Sequence, residues 1–215
     1  MGGTVIQTIN EIHRLIPDSI LFGSILLYFL TQNIAFGIFA VFIFETVLSH
    51  KIMSWVTSQT VGSSRSVDIK CHAGYRTPRF DAQRMFSHES YPSYSVFSIT
   101  SIAAYLALSM NEFSSTLNSM GPEWASRNTV AYALISTVVI AFLLVRYFAC
   151  ESISEIVVAF TLALISAGIF FYINKAIFGV ESINFLGLPY LVSKESQGSP
   201  IYVCGPENAE DPTSA

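Results

Sequence analysis

The predicted fold class is all-α: a polytopic integral membrane helical bundle of about five spans, with the last two apolar runs close to the ~20 residues a span requires. Three observations predict it. First, 52% of the 215 residues are hydrophobic and 12% are charged, with a mean hydropathy of +0.51; a soluble domain of this size could not bury so much apolar surface. Second, the apolar residues gather into uncharged runs, Ser19 to Phe44, Val96 to Met110, Asn128 to Val145 and Ile156 to Asn174. Third, those runs carry few of the polar stripes at helical spacing that a soluble multi-helix core would show.

Taken in order, residues 1–18 read as an interfacial lead. Ile12, Leu15 and Ile16 lie to one side of Glu11 and Arg14, and Pro17-Asp18 suits a helix start. Met1 to Asn10 lacks the basic region of a cleavable signal, so the first apolar run is expected to stay as an anchor. At 1.5 Å per residue, Ser19 to Leu48 is about 45 Å long, too long for one untilted span. Thr31-Gln32-Asn33 sits near its middle, and three polar residues are better used as a hairpin turn than around a helix at the bilayer centre. Two short helices are therefore expected; one long helix would give a bundle of four spans.

Residues 54–91 read as a cytoplasmic loop. Six of the eleven basic residues (Lys51, Arg65, Lys70, Arg76, Arg79, Arg84) lie between His50 and Pro92, whereas Asn111 to Arg127 carries Glu112, Glu123 and one Arg127. The positive-inside rule then places the amino terminus and this loop in the cytoplasm. Pro92 suits a helical first turn. After it, Ser95, Ser98, Ser101, Ala104 and Ala107 recur every third residue, and Ala159, Ala163 and Ala167 every fourth on the last run. Such stripes let helices pack closely in lipid, so these two are expected partners. Trp55, Trp124, Tyr147 and Tyr172 at the run ends read as interfacial belts. The membrane domain is drawn over residues 19–180. Residues 181–215 form a polar tail on the opposite side, its last residues disordered in expectation. Cys71, Cys150 and Cys204 match no zinc or redox spacing and read as unpaired thiols.

Three small polar clusters stand out at the ends of the runs: Lys70 with Arg76 and Pro78 in the loop, Pro92-Ser93-Tyr94-Ser95 opening one run, and Arg146 closing the next, followed by Glu151 and Glu155. With the predicted topology they meet on one membrane face. In order and spacing they resemble the type 2 phosphatidic acid phosphatase superfamily of lipid phosphate phosphatases and haloperoxidases, over Lys70 to about Phe178. That family carries Lys, six residues and Arg-Pro; then Pro-Ser-Gly-His; then Ser-Arg, five residues, His, three residues, Asp. Its last His is the nucleophile, its Asp orients that His, and the His of the second motif is the general acid.

The resemblance implies that Lys70, Arg76, Ser93 and Arg146 are phosphate-binding residues. It also implies that the catalytic histidines are absent, since Tyr94 and Ser95 stand for Gly-His. Ser152 and Ile156, or with one residue deleted Glu151 and Glu155, stand for His and Asp. Glu151 could pair with Arg146 and occupy the anion site itself. The function expected is a non-catalytic lipid-phosphate-binding or scaffold protein of a multi-pass membrane type, a pseudoenzyme in place of an active phosphatase. Its partners would be membrane lipid with anionic headgroups and a membrane protein. No cofactor, metal or nucleic acid is expected, because no His, Cys or carboxylate pair has a ligand spacing.

Two other readings stand beside it. One is a structural or assembly protein of a specialised viral or organellar membrane, with Leu186 to Cys204 as a docking segment. The other is an active lipid phosphatase with an unusual nucleophile among Glu151, Ser152 and His88; His72 shares the loop with His88. A channel or transporter is disfavoured, because outside Thr31-Gln32-Asn33 and Glu45 the runs offer almost nothing to line a path.

Overall fold

The computed structural model describes residues 2–60, 91–149 and 152–185, and among them all regular structure is helical. The order is α1 (Gly2–Thr31), α2 (Ile34–Thr60), α3 (Tyr94–Glu112), α4 (Ser114–Met120), α5 (Pro122–Ala149) and α6 (Ile153–Phe178), closed by a 3-10 turn at Val180–Ile183. Ile34–Thr57, Pro122–Phe148 and Ile153–Phe178 are long and apolar enough to cross a membrane, and Ile16–Thr31 is a shorter apolar segment. The all-helical class holds, with three such helices where about five spans are expected from run lengths.

The difference lies in α1 and α3. The 19 residues of α3 include five serines and threonines, Ser95, Ser98, Thr100, Ser101 and Ser109, all buried. They lower its hydropathy but need no lipid contact, because α3 packs against α1, α2, α5 and α6. Ser98 and Ser109 donate to the carbonyls of Ser95 (3.3 Å) and Tyr105 (2.9 Å), so these two hydroxyls are satisfied within the helix itself. In α1 the helix start expected at Pro17-Asp18 is not used. The helix runs from Gly2 through Pro17, which lacks the N–H that would bond the carbonyl four residues earlier.

The chain does break at Thr31-Gln32-Asn33. Gln32 takes a left-handed conformation (φ 55°) and donates its side-chain amide to the Phe29 carbonyl at 2.9 Å. Asn33 caps α2 by accepting the Ala35 N–H at 2.9 Å and donates to the Asn184 carbonyl at 3.0 Å. The hairpin is tight: a Cβ on Gly37 would lie 3.2 Å from the Tyr28 ring, so glycine lets α1 and α2 approach. Asn184 brings the end of the 3-10 turn to this tip, and Ile183 is fully buried. The boundary drawn at residue 181 thus falls within chain that is part of the bundle. The far loop expected over Asn111 to Arg127 is largely helical, as α4 and the first turns of α5.

The α3–α6 contact is the most extensive in the fold, as the two small-residue stripes predict. Ala159, Ala163 and Ala167 have no exposed surface, and the Ser101 hydroxyl reaches the Ala163 carbonyl at 3.4 Å. Ser49 and Ser166 hydroxyls, 3.2 Å apart, tie α2 to α6. By contrast, α5 is peripheral and exposes Val130, Leu134, Val138, Leu144 and Phe148, a surface suited to lipid. Two buried clusters result. One contains Phe39, Phe42, Tyr105, Phe171 and Ile183; the other contains Val96, Ile99, Phe142, Ile156 and Ala159.

Candidate functional site

The second cluster determines which residues meet. Val96 and Ile99 come from the start of α3, Phe142 from the last two turns of α5, and Ile156 and Ala159 from the start of α6, with Ile16 of α1 and Leu143 packed around them. Ser93 precedes Val96 by one helical turn, Arg146 follows Phe142 by one turn, and Ser152 precedes Ile156 by one turn. These three polar positions, distant in sequence, therefore occupy one end of the bundle. Lys70, Arg76, Pro78, His72, His88, Glu151, the three cysteines and the segment after Phe185 lie outside the described residues.

Ser93 is buried, and its carbonyl accepts the Phe97 N–H at 2.9 Å to begin α3. Arg146 is half-buried in the last turn of α5, where a cation complements the carboxyl end of the helix dipole. Ser152 and Glu155 are the positions that one alignment or the other assigns to chemistry. Here they form a reciprocal capping box: the Glu155 N–H donates to the Ser152 hydroxyl (3.3 Å), and the Ser152 N–H to the Glu155 carboxylate (3.2 Å). Both side chains are engaged in starting α6.

His50 is the residue that the sequence did not mark. Near the end of α2 and only 2% exposed, it sets its edge against Tyr94 and lies beside Phe97, with ring centroids 5.0 Å and 5.3 Å away. Its Nε2 is 2.6 Å from the Pro92 carbonyl, so this nitrogen carries the proton and donates. Two turns further on, the Thr57 hydroxyl donates to the Tyr91 carbonyl at 3.0 Å. Together they fasten the approach to Ser93 onto α2. The only sequence signal was a histidine closing an apolar run, which is ordinarily an interfacial residue.

Removing that fastening should be costly. His50→Ala leaves the buried Pro92 carbonyl without its donor and opens a cavity between Tyr94 and Phe97, an expected loss of about 2–3 kcal/mol. His50→Gln should recover part of it by restoring an N–H donor. Thermal unfolding of both variants in detergent checks the order.

Among the described residues no group of three or more His, Cys, Asp and Glu is placed to hold a metal. An open groove of about 550 Å³ lies elsewhere, between α3, α5 and α6, lined by Ala107, Asn111, Tyr132, Gly168 and Tyr172 among others. Long apolar helices with an outward-facing apolar surface define a helical membrane protein. No family model, curated protein or solved structure matches the chain.

Proposed function

We propose that the protein is a multi-pass membrane protein in which α1, α2, α3, α5 and α6 all cross the bilayer, and that it binds the phosphate of anionic lipids without hydrolysing it. The observation that carries the reading is the convergence of the α3 start, the α5 end and the α6 start through Val96, Phe142 and Ile156. Ser93 and Arg146 thereby share the end of the bundle at which the basic segment between α2 and α3 begins and ends. A guanidinium, a hydroxyl and two further cations from Lys70 and Arg76 are the groups that phosphate recognition requires. That Ser152 and Glu155 cap α6 favours binding over turnover, since neither is left poised as a nucleophile.

Flotation with phosphatidic acid liposomes, beside phosphatidylcholine liposomes, tests this reading. Arg146→Ala is expected to weaken binding about tenfold, the loss of one charge-assisted contact worth ~1.5 kcal/mol, and neither protein should release phosphate. Equal flotation of parent and variant would remove the site. A parent that ignores phosphatidic acid would leave the assembly reading, to be pursued by co-purification before and after truncation behind Lys175.

A further inference from the structure

Within the apolar length of α2, Glu45 is the one carboxylate among the described residues of that helix. Its Oε2 accepts the Asn174 side-chain amide of α6 at 3.0 Å. Asn174 is 1% exposed, and beside both groups lies the Tyr105 hydroxyl of α3. The Tyr105 ring has no exposed surface and is enclosed by Phe39, Phe42, Phe171 and Phe185, with centroids 5.7, 4.1, 5.4 and 6.4 Å away. Yet its buried hydroxyl makes no hydrogen bond of good geometry.

An ionisable group in such a place is costly and marks a site by default, and a buried hydroxyl with no hydrogen bond of good geometry calls for an explanation, a bound ion being one. Asn174 can give Glu45 two N–H bonds at most and still presents a carbonyl oxygen. Among the described residues no cation forms an ion pair with Glu45. Lys175 is bound to Glu112 at 2.6 Å. Of the other ionisable groups on α2 and the elements packed against it, α2 itself carries His50 and Lys51, α1 carries Glu11, His13, Arg14, Asp18 and Tyr28, α3 carries Tyr94, α6 carries Glu155 and Tyr172, and Glu181 is exposed on the 3-10 turn. What the trio lacks is positive charge, and what it offers is oxygen: the second carboxylate oxygen, the Asn174 carbonyl and the phenolic oxygen. Glu45 is half-buried, which leaves the trio open on one side.

We propose that Glu45, Asn174 and Tyr105 form a binding site for a small monovalent cation, sodium or a proton, inside the helical bundle. Oxygen donors of this kind suit a hard cation, and any cation bound only by the folded state must raise its stability. The site stands apart from the phosphate-binding reading and does not depend on it.

The test is thermal unfolding of the full chain in detergent, with sodium or choline as the sole monovalent cation, at acidic and at alkaline pH. The variants are Glu45→Gln, which keeps an acceptor for Asn174 without the charge, and Tyr105→Phe, which keeps the ring and removes the hydroxyl. The parent should gain about 5 °C at saturating cation, and this gain should vanish in Glu45→Gln and shrink in Tyr105→Phe. A gain with sodium at alkaline pH identifies a sodium site; a gain only on acidification, equal in sodium and choline, identifies a proton site. A parent that responds to neither, or variants that respond as the parent does, overturn the proposal. Should Glu45→Gln fail to fold, the Tyr105→Phe comparison decides alone.

Discussion

Tyr105→Ala is expected to destabilise the bundle by about 3–4 kcal/mol, the range for emptying an aromatic site in a packed interior. The ring touches helices α2 and α6 and the chain just past the 3-10 turn, through Phe42, Phe171 and Phe185. Its removal therefore opens a cavity where three segments meet, and none can close it without losing contacts elsewhere. Tyr105→Phe should cost far less, since the hydroxyl it deletes makes no hydrogen bond of good geometry. Denaturant or thermal unfolding of the two variants under one set of conditions checks the contrast; equal losses would show that the ring is not the source of the stability.

The second large effect is expected at the α3–α6 seam. Ala163→Leu adds three carbons at a position with no exposed surface, whose carbonyl is 3.4 Å from the Ser101 hydroxyl. Overpacking of this kind costs about 1–3 kcal/mol even where neighbours yield. Here the neighbour is helix backbone, so the upper end is expected. Ile165→Ala, on the outward face and 53% exposed, is the control and should move stability by no more than about 0.5 kcal/mol. Parallel unfolding curves distinguish a seam that depends on small residues from one that merely contains them.

The seam was legible in the sequence because period and residue size carry the same message. Ser101 and Ala163 sit on stripes whose only physical use in a helix bundle is close approach. Thr31-Gln32-Asn33 was legible for a similar reason: polar side chains at the middle of a long apolar run can end a helix and cap the next, as Asn33 does. What misled was Pro17, which starts many helices and here lies inside one. The serines and threonines of α3 lower its hydropathy although each of the five is buried in the bundle interior.

Of the candidate phosphate site, the placement of the α3 start and the α5 end at one end of the bundle could be anticipated from helix order alone. The part played by His50 could not, because it depends on a 2.6 Å contact to a main-chain carbonyl 42 residues away, and no local pattern encodes it. Glu45 was visible as a lone charge, but its partners Asn174 and Tyr105 come from two other helices.

The capping box at the head of α6 constrains how this scaffold can change. Installing a histidine nucleophile at position 152 would delete the hydroxyl that receives the Glu155 N–H, and exchanging Glu155 for the shorter aspartate that orients such a histidine would draw the carboxylate back from the Ser152 N–H. Either exchange trades about 1 kcal/mol of helix initiation for part of a reactive pair, at the same turn that seats Ile156 against Val96 and Phe142. A designer seeking hydrolysis from this bundle would therefore have to re-cap α6 first, with an acceptor placed one residue earlier, before any imidazole could be introduced without unsettling the floor on which it must stand.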